Sequence, residues 1–201
     1  MTAHDAGPRG NQRLTAMAGA VLFVLLAVEG LSILSVRGLF TVHAIVGLVL
    51  VGPLMVKLTS ATYRFARYYT GDPAYRRAGP PRPLLRLLAP VLIVATLALL
   101  ATGVTLLLTD PASAGRLVQL HKASFVVWLG VTSVHVLAYL GRVPPLLMAD
   151  LRRRPAVRGA STRGTLVLLG VLAGALLAVA LKGHLHPWVA WFANGLGSDG
   201  G

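Results

Sequence analysis

Few residues in this 201-residue chain can do chemistry, and they stand in apolar surroundings. Glu29, His43, Lys57, His121 and His135 fall within long runs of Leu, Val and Ala, while His184 and His186 follow the last such run. An ionisable group inside a bilayer is costly and marks a functional position by default. With no cysteine in the chain, disulfides, thiolate metal sites, iron–sulfur clusters and thioether-attached haem are excluded. Metal chemistry here must use histidine and carboxylate.

Spacing narrows the choice. His121 and His135 lie fourteen positions apart, as do His43 and Lys57. Fourteen helical steps return to nearly the same face after a rise of about 21 Å. Each pair therefore presents one group near each membrane surface. The helices that carry them run in the same direction, so His43 matches His121 in depth on the outer side and Lys57 matches His135 on the inner side. Two imidazoles on facing helices are the arrangement that holds a b-type haem, each giving one ring nitrogen to iron. Gly47, one turn from His43, and Ala123 and Ser124, after His121, are small enough to leave room for the ring.

Each residue also has a plainer reading. An interfacial histidine often only bonds a headgroup, a carbonyl or water. Lys57 is placed to snorkel toward the headgroups, to meet a haem propionate, or, once neutral, to ligate iron. Glu29 is suited to bond a histidine, to take a proton from a quinol, or to sit protonated in the bundle. His184 and His186, two apart and beside Pro187, read as interfacial residues.

The elements that must position these groups are membrane helices. The chain is 55% hydrophobic and 12% charged, about half the charged share of a soluble domain, with mean hydropathy +0.72. Apolar runs cover Leu14 to Val36, Leu39 to about Ser60, Leu84 to Thr109, about Leu117 to Leu140, and Leu166 to Leu181. Each approaches or exceeds the roughly 20 residues that span a bilayer. The first is too long for a signal-peptide core and no clear A-x-A site follows it, so it reads as a retained span.

The net charge of +13 sits in short segments between these runs, which argues for topology and anionic lipid rather than nucleic acid. Most of the 19 basic residues fall in the amino-terminal tail, in Ala61 to Pro83 and in Arg142 to Arg163. The opposite side has only Arg37, Arg116, Lys122 and Lys182. The sequence thus predicts a multi-pass inner-membrane protein: a cytoplasmic tail over 1–13, a five-helix membrane domain over 14–183, and an extracytoplasmic tail over 184–201. Pro53 is placed to kink the second span.

The histidine spacing on the fourth span is similar to the cytochrome b pattern, and the size and basic loops resemble the b-type membrane subunits of nickel hydrogenases and formate dehydrogenases. Val42-His43-Ala44, Lys57-Leu58-Thr59-Ser60, the segment from Arg67-Tyr68-Tyr69-Thr70-Gly71-Asp72-Pro73 to Ala74-Tyr75-Arg76-Arg77, and Leu120-His121-Lys122-Ala123-Ser124-Phe125 resemble a group of actinobacterial membrane proteins related to cytochrome b. The resemblance covers a little over half the chain, from Glu29 through Leu140. It implies an all-α five-transmembrane-helix bundle with a four-helix cytochrome b-like core, and haem b between His43 and His121. Cytochrome b would carry a histidine where Lys57 stands, which leaves an inner haem at Lys57 and His135 open.

The expected function is electron transfer in the membrane between quinone and a redox partner, as a subunit more than as a stand-alone enzyme. The alternative is a polytopic protein without haem, a small transporter or a scaffold subunit. No H-E-x-x-H or G-x-S-x-G motif suggests a hydrolase.

Overall fold

Without water inside a bilayer, every backbone N–H and C=O must pair within its own segment, and long apolar runs satisfy this as helices. A computed structural model describes residues 6–79, 83–141, 143–151 and 159–195. Five long helices follow one another: α1 (Ala6–Ile33), α2 (Val36–Tyr69), α4 (Pro83–Leu107), α5 (Gly115–Leu140) and α7 (Ala160–Leu181). Short helices α3 (Pro73–Arg77), α6 (Val143–Leu151) and α8 (Leu185–Ala193) lie between or after them. All five long helices have the length and apolar character to cross a membrane. Their outward faces carry large apolar side chains such as Phe23, Leu31, Val94, Val126, Leu137 and Leu176, each more than half exposed or nearly so. In water such a surface would aggregate; against acyl chains it is matched. The chain is a multi-pass membrane protein.

Two packing units make the bundle. In the first, α2 is flanked along its length by α1 and α7. In the second, α4 and α5 form an antiparallel pair, and α4 touches α2 more sparsely. No described residue of α5 is buried. The first span is thus an integral neighbour of α2.

The α2–α7 seam is glycine-built. A Cβ on Gly52 would lie 1.8 Å from the carbonyl oxygen of Gly170, and one on Gly174 would lie 2.2 Å from that of Val49. Backbones approach this closely only where side chains are missing, as in small-xxx-small membrane interfaces. Pro53, fully buried, has no N–H to offer the Val49 carbonyl four residues back. The backbone of Gly174 lies against that same oxygen. Pro53 keeps helical backbone angles within α2. The non-helical residue in α2 is Leu39 instead (φ −115°, ψ 19°), next to Gly38 and one turn before His43.

Several boundaries differ from the sequence expectations. The 1–13 segment is helical from Ala6, because its polar side chains have partners on α2: Asn11 Nδ2 donates to the Ser60 carbonyl at 3.0 Å, and Thr15 Oγ1 bonds Ser60 Oγ at 2.7 Å. Ala61 to Tyr69 continues α2, which at 34 residues outruns the roughly 30 Å hydrocarbon core. Its last turns carry Tyr63, Phe65, Tyr68 and Tyr69.

The region 184–201 is not simply a tail. Residues 185–193 form α8, whose Leu185 and Trp188 are buried. Trp188 Nε1 donates to the Leu106 carbonyl at 3.0 Å, and its ring stacks on Phe40. Arg82, Arg142, Arg152, Arg153, Arg154 and Arg158 lie outside the described residues.

The motif after α2 is a tied turn. Asp72 caps α3, accepting from the backbone N–H of Ala74 (2.8 Å) and of Tyr75 (3.3 Å), and pairs with the Arg67 guanidinium. Gly71 takes φ +90°, a left-handed angle that favours glycine. Desolvation works to raise the Asp72 pKa, but the two backbone bonds and Arg67 together outweigh it and hold the carboxyl below its usual value. Burial raises the Tyr75 phenol, with Arg67 opposing. Tyr75 packs against Gly7, joining this turn to the start of α1.

Candidate functional site

His43 and His121 meet. Their ring centres stand 6.4 Å apart with planes at 81°. His43 comes from α2, just past the Leu39 irregularity. His121 comes from the second turn of α5, where its ring lies against α4 in a space that exists because residue 103 is glycine. A Cβ there would lie 3.1 Å from His121 Cε1.

Hydrogen bonding fixes the tautomer of each ring. Thr102 Oγ1 donates its one proton within its own helix, with the Ala98 carbonyl at 2.8 Å and the Leu99 carbonyl at 3.0 Å. Toward His121 Nδ1, 2.9 Å away, that oxygen is left as an acceptor, so Nδ1 carries the hydrogen. Ser32 Oγ likewise donates to the Glu29 carbonyl at 2.6 Å and faces His43 Nδ1 at 3.1 Å. The Glu29 side chain adds a second acceptor, its Oε1 lying 3.0 Å from the same Nδ1. As neutral rings with the hydrogen on Nδ1, the state these acceptors favour, both imidazoles leave an Nε2 lone pair for a ligand.

Two of the small residues expected to make room act otherwise. The space beside Gly47 is taken by Glu29, whose Oε1 is 3.5 Å from where a Cβ would stand. Ser124 turns toward α4, 3.4 Å from Thr102 Oγ1, and donates to the His121 carbonyl at 2.9 Å. Ala123 is exposed.

The inner pair is less closely joined. Lys57 is half-buried, and its Nζ lies 3.0 Å from the missing Cβ of Gly19 on α1. Among the described residues no carboxylate forms an ion pair with it. The ring centre of His135 is 4.9 Å from that of Tyr139. Among the described residues its buried Nδ1 has no hydrogen-bond partner, and neither has the Thr132 hydroxyl one turn earlier. No hydrogen bond links Lys57 to His135 among the described residues. His184 and His186 are exposed around the start of α8.

Thr102, Gly103 and Ser32 are the site residues that the sequence reading passed over. None is ionisable, and each lies in an apolar run where a small or hydroxyl residue is unremarked. Thr102-Gly103 is nevertheless the one Thr-Gly step within the third run, a visible signal in retrospect.

No group of three or more His, Asp or Glu side chains suited to a metal ion occurs among the described residues. A scan against protein-family models, a search of curated proteins and a search of solved structures found nothing that matches this chain.

Proposed function

We propose that this protein is a b-type cytochrome that transfers electrons in the cell membrane, with haem b held between His43 and His121. The observation that carries the reading is the pair of facing imidazoles with both Nδ1 atoms committed and both Nε2 atoms left over. Two histidine–metal bonds of about 2.0 Å each, added to the distance from each nitrogen to its ring centre, separate trans imidazoles by about 6 Å. The 6.4 Å spacing agrees with that value. Two protein ligands are too few for a bare ion, but they suit a group that brings its own equatorial nitrogens. When bound, haem supplies one-electron chemistry. The chain supplies the axial nitrogens, their orientation and an apolar setting.

The excess of arginine at the start of α1, at and after the end of α2, and after α5 supports an amino terminus in the cytoplasm of an inner-membrane protein. The histidine pair then lies toward the outer face, where a quinone in the lipid or a redox protein subunit is the electron partner. We assign a single haem. Lys57 is turned onto Gly19 of α1, and among the described residues no hydrogen bond joins it to His135.

The test is a reduced-minus-oxidised spectrum of the purified protein, with pyridine-haem quantitation. One haem per chain is expected, lost in both His43→Ala and His121→Ala. Protein expressed with adequate haem and still colourless overturns the reading.

A further inference from the structure

The two imidazoles differ in what accepts their Nδ1 hydrogen. His121 is met by the neutral hydroxyl of Thr102 at 2.9 Å. His43 is met by Ser32 and also by the Glu29 carboxylate at 3.0 Å. Glu29 reaches it from another helix, across the α1–α2 seam, through the space that Gly47 leaves open. Its other oxygen, Oε2, is buried with no hydrogen-bond partner among the described residues. Among the described residues the imidazole of His43 is therefore the ring that this carboxyl group meets.

We infer that Glu29 is a positioning residue that lowers the reduction potential of the redox centre through His43. This inference rests on the reading of His43 and His121 as axial ligands. A carboxylate on Nδ1–H makes a charge-assisted hydrogen bond and raises the basicity of the opposite nitrogen. A more basic axial nitrogen, with a negative charge close by in a low-dielectric setting, favours the more positive ferric state. Thr102 carries no charge and exerts no comparable pull. The asymmetry makes His43 the electronic lever and His121 the anchor. Ser32, 1% exposed, keeps His43 in the same tautomer when the carboxylate is replaced.

Redox titration of the haem-loaded protein at one fixed pH tests this. Glu29→Gln is near-isosteric and removes the charge. It is expected to retain the haem and to favour the ferrous form about tenfold, a rise of about 59 mV for a one-electron couple. Thr102→Val is expected to move the potential much less while loosening haem retention. An unchanged potential in Glu29→Gln with haem retained overturns the inference and leaves the cytochrome reading standing. An equal shift in Thr102→Val also overturns it. Should Glu29→Gln release the haem, Glu29→Asp decides instead: the shorter side chain weakens the bond, so a raised potential supports the role and an unchanged one refutes it. A wild-type protein without haem overturns both this inference and the functional reading beneath it.

Discussion

The Cβ that Gly52 lacks would stand 1.8 Å from the carbonyl oxygen of Gly170, so α2 and α7 touch backbone to backbone. Gly52→Ala must push the helices apart, since a carbonyl oxygen, unlike a side-chain tip, cannot swing aside. Overpacking of this kind costs about 1–3 kcal/mol. Thermal melting in detergent should show the loss, and Gly174→Ala, against the Val49 carbonyl, should behave alike. A variant that melts with the wild type would mean that the seam is looser than described.

The seat of His121 makes a graded prediction. Gly103→Ala places a methyl at 3.1 Å from Cε1, a contact that a small ring shift relieves. Gly103→Leu leaves no room. Haem per chain should fall slightly in the first and severely in the second, with helicity by circular dichroism unchanged in both. Equal retention in the two variants would argue that the ring does not use this space.

Thr102→Val keeps shape and removes the acceptor of the His121 Nδ1 hydrogen. Loss of such an outer partner typically weakens metal affinity 10–100-fold. Competition against a haem-scavenging apoprotein measures this directly, and wild-type retention would refute the tautomer argument.

At the inner pair the expectation is indifference. Lys57→Met and His135→Ala should each leave haem stoichiometry at the wild-type value. A second haem in the wild type, lost in His135→Ala, would show that the inner pair is also a ligand site.

Asp72 gives the pH dependence. Its folded pKa lies below the ordinary value of 3.8, so the unfolded turn binds the proton more readily than the folded one. By linkage its contribution is complete above the unfolded value and is lost as pH falls through the lower folded value. Amide exchange of Ala74 and Tyr75 should accelerate, relative to neighbouring amides, only below about pH 4. Asp72→Ala should show the faster exchange already at neutral pH. Matching exchange in variant and wild type would mean that the cap does not form.

The membrane spans were readable because apolar runs of this length have one stable form in lipid. The partnership of His43 with His121 was also readable, since chain direction and a fourteen-residue spacing fix depth and face. Glu29 was recognised as costly and as a possible partner for histidine; which histidine it meets depends on the α1–α2 register, which no local pattern encodes. Thr102 escaped notice because a hydroxyl in a membrane helix ordinarily satisfies itself on the preceding turn. Here it does that and still offers a lone pair to the next helix. The extension of α2 to Tyr69 was hidden by arginines, which read as loop yet suit a helix that has left the hydrocarbon. The α8 helix was hidden by its length.

The clasp of α2 between the first and last long helices sets an order of assembly. His121 arrives on a hairpin whose two strands of chain are adjacent in synthesis and can pair at once. His43 arrives earlier, on a helix whose second flank, α7, is made after the hairpin. Within that hairpin it is α4, which carries neither histidine, that touches α2. A chain stopped before residue 160 would hold both imidazoles and lack the α7 flank of the helix that carries His43.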